Sequence, residues 1–222
     1  MRRPRESRDP EATRARLIDA ARRLFSEYGF EDVTVRDICR EARANLSLVN
    51  YHFGDKHGLY TEIVNEAITY VSEFTALAME APAGSSAEEK LRHFVAVFVG
   101  RLFETSANAN WIHKLMQHEI SRPTDAAPRI GQLALAPRIR YLASIVAELL
   151  DAPLSDPRVI QTVTTVHGLC VVYARIARMP APFRDIVPEF GSADRLDAGS
   201  ATEHVTAFSL AGIRAMRAGA IR

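Results

Sequence analysis

Residues 33–56, VTVRDICREARANLSLVNYHFGDK, leave room for one kind of local structure: two helices of about two turns each, joined by a tight turn. Thr34 followed three residues later by Asp37 predicts a capping-box start, because the hydroxyl can accept from an early backbone N–H and the acid suits the positive helix end. Val35, Ile38, Cys39 and Ala42 then share an apolar face at helical spacing, so residues 34–42 form a helix. Arg43 and Ala44 make the turn. Asn45 stands where an N-cap belongs, its side chain able to accept from the orphan N–H groups of a second helix from Leu46 to Phe53. Gly54 and Asp55 close that helix, and Asp55 can cap a third starting at Lys56.

Helices this short are not stable alone and must be held by neighbours. One precedes them. Residues 12–28 place Leu17, Ile18, Ala21, Leu24, Phe25 and Tyr28 on one stripe of an amphipathic helix, with Arg14, Arg16, Arg22 and Arg23 mostly off it. Gly29 supplies the stop. Three helices thus close a core of roughly fifty residues, marginal alone and in need of a larger partner domain. Helix, turn and a second helix ending on aromatics make the pattern of a DNA-reading helix-turn-helix.

On these segments, "RLIDAARRLFSEYGF", "VTVRDIC" and "NYHFGDKHGLY", the chain resembles the N-terminal domain of TetR-type transcriptional regulators over about residues 12–66. The stretch WIHKLMQHEISRP at 111–123 resembles the CecR-like (YbiH-like) branch. The resemblance implies an all-helical homodimer that binds double-stranded DNA at a palindromic operator and lets go when a small-molecule effector binds the C-terminal domain. Carried over residue by residue, it implies base-edge or nearby roles for Ser47, Asn50 and His52, and phosphate contacts for Tyr51 and Lys56. Thr34 and Arg36, at the start of the preceding helix, would hold phosphate through a hydroxyl, a guanidinium and helix-terminal N–H groups. Asn45 belongs to the same candidate surface. The chain departs from the family by having Arg43 rather than glycine in the turn and Leu46 where a small polar residue is common. Leu46 and Leu48 would read thymine methyl groups if they face the groove; the alternative for Leu46 is completion of the headpiece core.

Charge does not dominate. Residues 1–56 hold 12 Lys plus Arg against 10 Asp plus Glu, so phosphate contact must come from local arrangement. Arg2, Arg3, Arg5 and Arg8, with Pro4 and Pro10, read as a flexible basic arm over residues 1–11, which follows the DNA backbone, enters a minor groove or stays a solvated tail. That N-terminus lacks the apolar core of a signal peptide, no run of about 18 apolar residues suggests a membrane span, and a cytoplasmic protein is expected. Cys39 and Cys170 make neither a disulfide framework nor a zinc set and read as small packed hydrophobes.

Strand-like alternation is absent, which predicts an all-α fold: the headpiece at 12–56, a linking helix at 56–80, and a larger helical domain for ligand binding and dimerisation at 81–222. Within it, helices are expected near 86–106, 108–121, 126–151 (interrupted at Pro137), 157–179 and 201–218. Residues 157–179 are apolar almost all round, and 201–218 carry Val205, Phe208, Ala211, Gly212 and Ala215 at seam spacing, so these two helices would build a four-helix dimer bundle across a two-fold axis. Phe94, Phe98, Trp111, Met116, Tyr141, His167, Cys170 and Tyr173 would suit a mostly apolar effector pocket. His113 with Gln117, His118 beside Glu119, and His167 near Cys170 give no three-ligand metal spacing. There is no phosphate loop, nucleophile elbow or HExxH, so neither catalysis nor a cofactor is expected. A ligand-independent architectural DNA binder is the alternative reading.

Overall fold

A computed structural model describes residues 10–179 and 196–220, and these are helical, with no strand among them. The helices are α1 (Pro10–Tyr28), α2 (Val35–Ala42), α3 (Leu46–Phe53), α4 (Lys56–Met79), α5 (Ala87–Phe103), α6 (Ala107–Ser121), α7 (Ala127–Ile130), α8 (Ala136–Leu150), α9 (Pro157–Ala177) and α10 (Ala198–Arg217). The basic arm lies outside the described residues except for Pro10 and Glu11, which are not arm at all but the first turn of α1.

The chain forms two compact units. Unit 1 contains the described residues up to Val71 together with Thr105–Gln132; unit 2 contains Ser72–Glu104 and the described residues from Leu133 onward. Segment 105–132 therefore packs with the headpiece, not with the rest of 81–222. The reason is a second apolar stripe: Ala109, Ile112 and Leu115 of α6 are buried along α1. Trp111 lies under the Arg22 guanidinium, 5.3 Å from the ring centroid, and Lys114 pairs with Glu27.

In unit 1, Leu17, Phe25, Ile38, Val49, Leu59 and Ile63 have almost no exposed surface. Full burial of such side chains contributes about 1.5–3 kcal/mol each. Phe25 meets Tyr60 edge-on at 4.9 Å, and Phe30 lies 4.7 Å from the same ring. Gly29 ends α1 at φ 81°, and a Cβ there would also meet His118 Nδ1 at 3.0 Å. The start of α4 is locked to the end of α3: a Cβ on Gly58 would stand 1.9 Å from the Phe53 carbonyl oxygen, so only glycine admits that approach.

In unit 2, α5, α8, α9 and α10 pack on one another around Leu91, Phe94, Phe98, Leu142, Ile145, Val166 and Val205. Capping residues set the helix starts. Ser86 and Glu89 form a capping box on α5, Asp156 caps α9 with Pro157 behind it, and Asp197 caps α10. Pro137 falls at the start of α8. It has no N–H to give the Leu133 carbonyl, and the chain opens just before it into one wide π turn, Gly131–Leu135. The Leu133 carbonyl accepts instead from the Ser72 hydroxyl at 3.4 Å.

Candidate functional site

The second helix of the helix-turn-helix is anchored by a single fully buried residue, Val49. Helical geometry then turns Leu46, Ser47, Asn50 and Tyr51 outward as one contiguous strip, all exposed, Tyr51 at 77% and Leu46 at 49%. Leu46 is thus not a core residue. Leu48 and His52 flank the strip, half-buried. The His52 ring stands edge-on to Tyr51 at 4.9 Å, and its Nε2 is buried without a hydrogen-bond partner among the described residues.

The capping roles are divided differently from expectation. Thr34 and Asp37 form the full box: the Asp37 N–H donates to Thr34 Oγ1 at 3.2 Å, and the Thr34 N–H donates to Asp37 Oδ2 at 3.1 Å. The Thr34 hydroxyl proton goes to Asp37 as well, so the hydroxyl is already spoken for and phosphate would be left with N–H groups of the first turn and Arg36. These bonds hold the Asp37 carboxyl below its ordinary value. Asn45 occupies the N-cap position of α3 but makes no side-chain cap bond, which leaves its amide outward. Asp55 does cap α4, accepting from the Gly58 N–H at 2.8 Å.

Most arginines of the headpiece are tied up by carboxylates. Arg14 pairs with Glu62, Arg22 with Glu66, Arg23 with Glu41 and Arg40 with Asp37. Arg36 and Arg43, both exposed, make no ion pair with any described residue, and Lys56 places its ammonium 4.2 Å from the Phe30 ring centroid. Arg43 is a candidate missed from sequence, where it figured only as turn. It holds φ 51°, ψ 46°, the left-handed region in which glycine is at ease, and its N–H closes α2 onto the Arg40 and Cys39 carbonyls.

The eight effector candidates do not converge. Trp111 and Met116 lie on α6 in unit 1, because α6 packs on α1. The other six lie in unit 2. Phe94 and Phe98 are fully packed, Tyr141 stands 6.3 Å from Phe94, and half-buried Tyr173 stands 5.8 Å from His204 of α10. His167 stacks on Phe98 at 5.1 Å, and Cys170 is buried. Sequence reading missed the residue that joins them: Arg138, 7% exposed, with its guanidinium carbon 4.5 Å from the Phe98 centroid. The signal was present, for Arg138 stands four and seven residues before Leu142 and Ile145, inside the apolar stripe of α8. Arg138 makes no hydrogen bond or ion pair with any described residue, and its Nε is buried and unpartnered. Burial lowers its pKa only to about 10, so it stays charged at neutral pH. Burial and the nearby guanidinium push His167 down to about 4, and burial pushes the Cys170 thiol up to about 12.

A second polar cluster lies in unit 1, on the stretch WIHKLMQHEISRP. Buried Glu119 accepts from the Tyr60 hydroxyl, from the Thr124 hydroxyl at 2.8 Å and from the Thr124 N–H at 3.3 Å, fastening the loop after α6 to α4. Desolvation and the adjoining carboxylate raise the Tyr60 pKa well above the usual phenol value. A cleft of about 450 Å³ opens beside it, lined by Phe30, His57, Tyr60, Asp125 and Arg129 among others, and none of the eight candidates reaches it. Among the described residues no three His, Cys, Asp or Glu side chains group as metal ligands.

Comparison with known proteins fits this geometry. Residues 17–63 match the family model for bacterial regulatory proteins of the tetR family, and residues 87–213 match the model of the C-terminal domain of the HTH-type transcriptional dual regulator CecR. The HTH-type transcriptional regulator BetI of Serratia proteamaculans is 27% identical over 117 residues, 49% of this chain and 58% of that protein. The chain therefore spans less than two thirds of the length of this relative. A TetR-like transcriptional regulator from Rhodococcus sp. RHA1 superposes with a TM-score of 0.58 at 18% identity, covering 96% of this chain and 99% of that one. SmeT, solved in complex with triclosan, gives 0.56 at 17% identity, covering 90% and 91%. At such identities the structural likeness speaks for the fold alone. The families and the BetI relative matched are transcriptional regulators, not enzymes.

Proposed function

We propose, since this chain belongs to the TetR family of bacterial transcriptional regulators and carries the C-terminal domain of the CecR branch, that it acts as a homodimeric repressor of a palindromic operator, released by a small molecule. The observation that carries the DNA reading is the outward strip of α3. Leu46, Ser47, Asn50 and Tyr51 stand free on one side of a helix whose other side is pinned by Val49, so base edges can be met without disturbing the core. Arg36, Arg43, Asn45 and Lys56 flank it as phosphate contacts, with His52 and Leu48 at its margin. Thr34 serves this surface through its cap, by fixing the first turn of α2.

The dimer is supported by what unit 2 leaves uncovered. Ile160, Val172 and Ile176 of α9 are exposed, and so is Phe208 of α10 at 57%. An apolar helix face of this kind in a soluble regulator is an association surface. A Cβ added at Gly168 or Gly212 meets no atom within 4 Å, as expected of positions where a second helix comes close. Release by a small molecule is supported by the path of α4, which gives Lys56–Val71 to unit 1 and Ser72–Met79 to unit 2. Two recognition helices must lie about 34–36 Å apart to enter successive major grooves, and a ligand that prefers another spacing lowers operator affinity by its differential affinity. That SmeT is solved with triclosan makes a ligand-bound state of such a fold a concrete precedent.

Selection against random-sequence DNA, run in parallel on wild type and Tyr51→Ala, tests this. Wild type is expected to enrich an inverted repeat, and Tyr51→Ala to keep the dimer mass while binding that repeat at least tenfold more weakly. Absence of any enrichment by refolded, ligand-stripped dimer overturns the DNA reading; wild-type affinity in Tyr51→Ala removes Tyr51 from the surface.

A further inference from the structure

Unit 2 contains a charge that its own chain does not answer. Arg138 rises from the apolar stripe of α8 into a core of α5, α8 and α9, more than nine-tenths buried. Its guanidinium lies against the Phe98 ring, with the His167 imidazole stacked on that same ring at 5.1 Å and Cys170 near by. No carboxylate among the described residues pairs with it. The half-buried arginines of the unit differ: Arg101 is held by Glu104, and Arg178 donates to the Glu104 carbonyl at 2.9 Å. Beside Arg138, His167 also keeps a buried Nε2 without a partner. Two adjacent buried polar groups are therefore both unanswered, and one of them is a charge, whereas buried charges in folded proteins are paired.

We propose that this interior is the binding site for an organic anion, whose acid group pairs with the Arg138 guanidinium and Nε2 of His167 while its apolar body lies among the rings of Phe98 and Tyr141. A planar guanidinium favours a carboxylate or a similar oxyanion that it can grip with two N–H groups at once. Neutral His167 adds a hydrogen bond without adding charge, so the site suits one negative charge rather than two. Phe98 presents its face to the cation at 4.5 Å, which orients the fork of donors. The binding chemistry stands on this geometry alone; its effect on DNA rests on the reading of a ligand-released regulator given above.

The experiment uses the full chain and two matched pairs of probes, 2-naphthoate with 2-naphthamide and octanoate with octanamide, read by thermal shift and by calorimetric titration of wild type and Arg138→Met. The acids are expected to raise the melting temperature of wild type saturably and to bind at least tenfold more tightly than their amides. Arg138→Met is expected to erase that preference and, relieved of an unpaired charge, to melt no lower than ligand-free wild type. Should Arg138→Met fail to fold, His167→Gln is expected to weaken the acids and leave the amides unchanged. Acids no better than amides in both pairs, or a preference that survives in Arg138→Met, would overturn the site. Operator binding is followed in the same samples. Acids that bind through Arg138 yet leave the operator occupied would separate the site, which stands, from its coupling to DNA, which would then fail; a protein that selects no DNA at all would remove the regulator reading and leave the anion site intact.

Discussion

Arg43 holds a backbone conformation that a residue with a Cβ enters at a cost of about 1–2 kcal/mol. It is also one of three exposed headpiece arginines, with Arg16 and Arg36, that no described carboxylate engages. Strain kept at a position with a free cation points to the side chain as the reason. Arg43→Gly is therefore expected to stabilise the protein by about 1 kcal/mol in urea denaturation while weakening operator binding and lowering the salt slope of that binding by about one. An unchanged salt slope would remove Arg43 from the phosphate surface. Most of the strip on α3 was legible in sequence because one buried residue, Val49, sets the direction of its neighbours on a helix, while Leu46, close to that face, stayed open between groove and core until its 49% exposure placed it outward. Arg138 was not read, because a charge near a helix start is by default placed in water, although its place in the apolar stripe of α8 already pointed inward, where it meets Phe98 of α5. The Thr34 hydroxyl was read as a phosphate ligand for a similar reason: sequence shows that a box can form, not that its bonds consume the donor.

Element boundaries were legible wherever a cap sets them. Thr34 with Asp37, Ser86 with Glu89, Asp156 with Pro157, and the Gly29 stop all act within a few residues, and the helices begin or end where they stand. The partner of an element is a different matter. The stripe of α6 says that it packs on something, and that it packs on α1 emerges only from the long-range contacts of Trp111 and Lys114. On α10 the expected seam divides in two, since Val205 faces the core and Phe208 faces out. That division makes the dimer surface testable by elements that leave the core alone. Phe208→Glu and Gly212→Leu are each expected to keep full helicity by circular dichroism and to give a monomer mass by light scattering. A dimer mass in both variants would move the interface elsewhere.

At the scale of the whole molecule, His167 ties stability to pH. Its pKa falls from 6.5 to about 4 on folding, through burial first and the Arg138 charge second. Between those values the unfolded chain binds the proton and the folded one does not. Stability is therefore complete above about pH 6.5 and is lost as pH falls toward 4, at no more than about 1.4 kcal/mol per pH unit from this one group. The capping carboxylates Asp37, Glu89, Asp156 and Asp197, all lowered by their cap bonds, act in the same direction but only below their ordinary values of 3.8 to 4.5. Denaturant melts of wild type and His167→Gln from pH 7 to pH 4.5 check this, with a flattened slope expected in the variant. The chain's two cysteines also fall one to each unit, Cys39 in the first and Cys170 in the second, both buried, both with thiols that burial keeps protonated. Each sulfur meets a disulfide reagent only when its own unit opens, so the rate of thiol exchange reports the two openings separately and the chain carries, without any added label, a clock in each half.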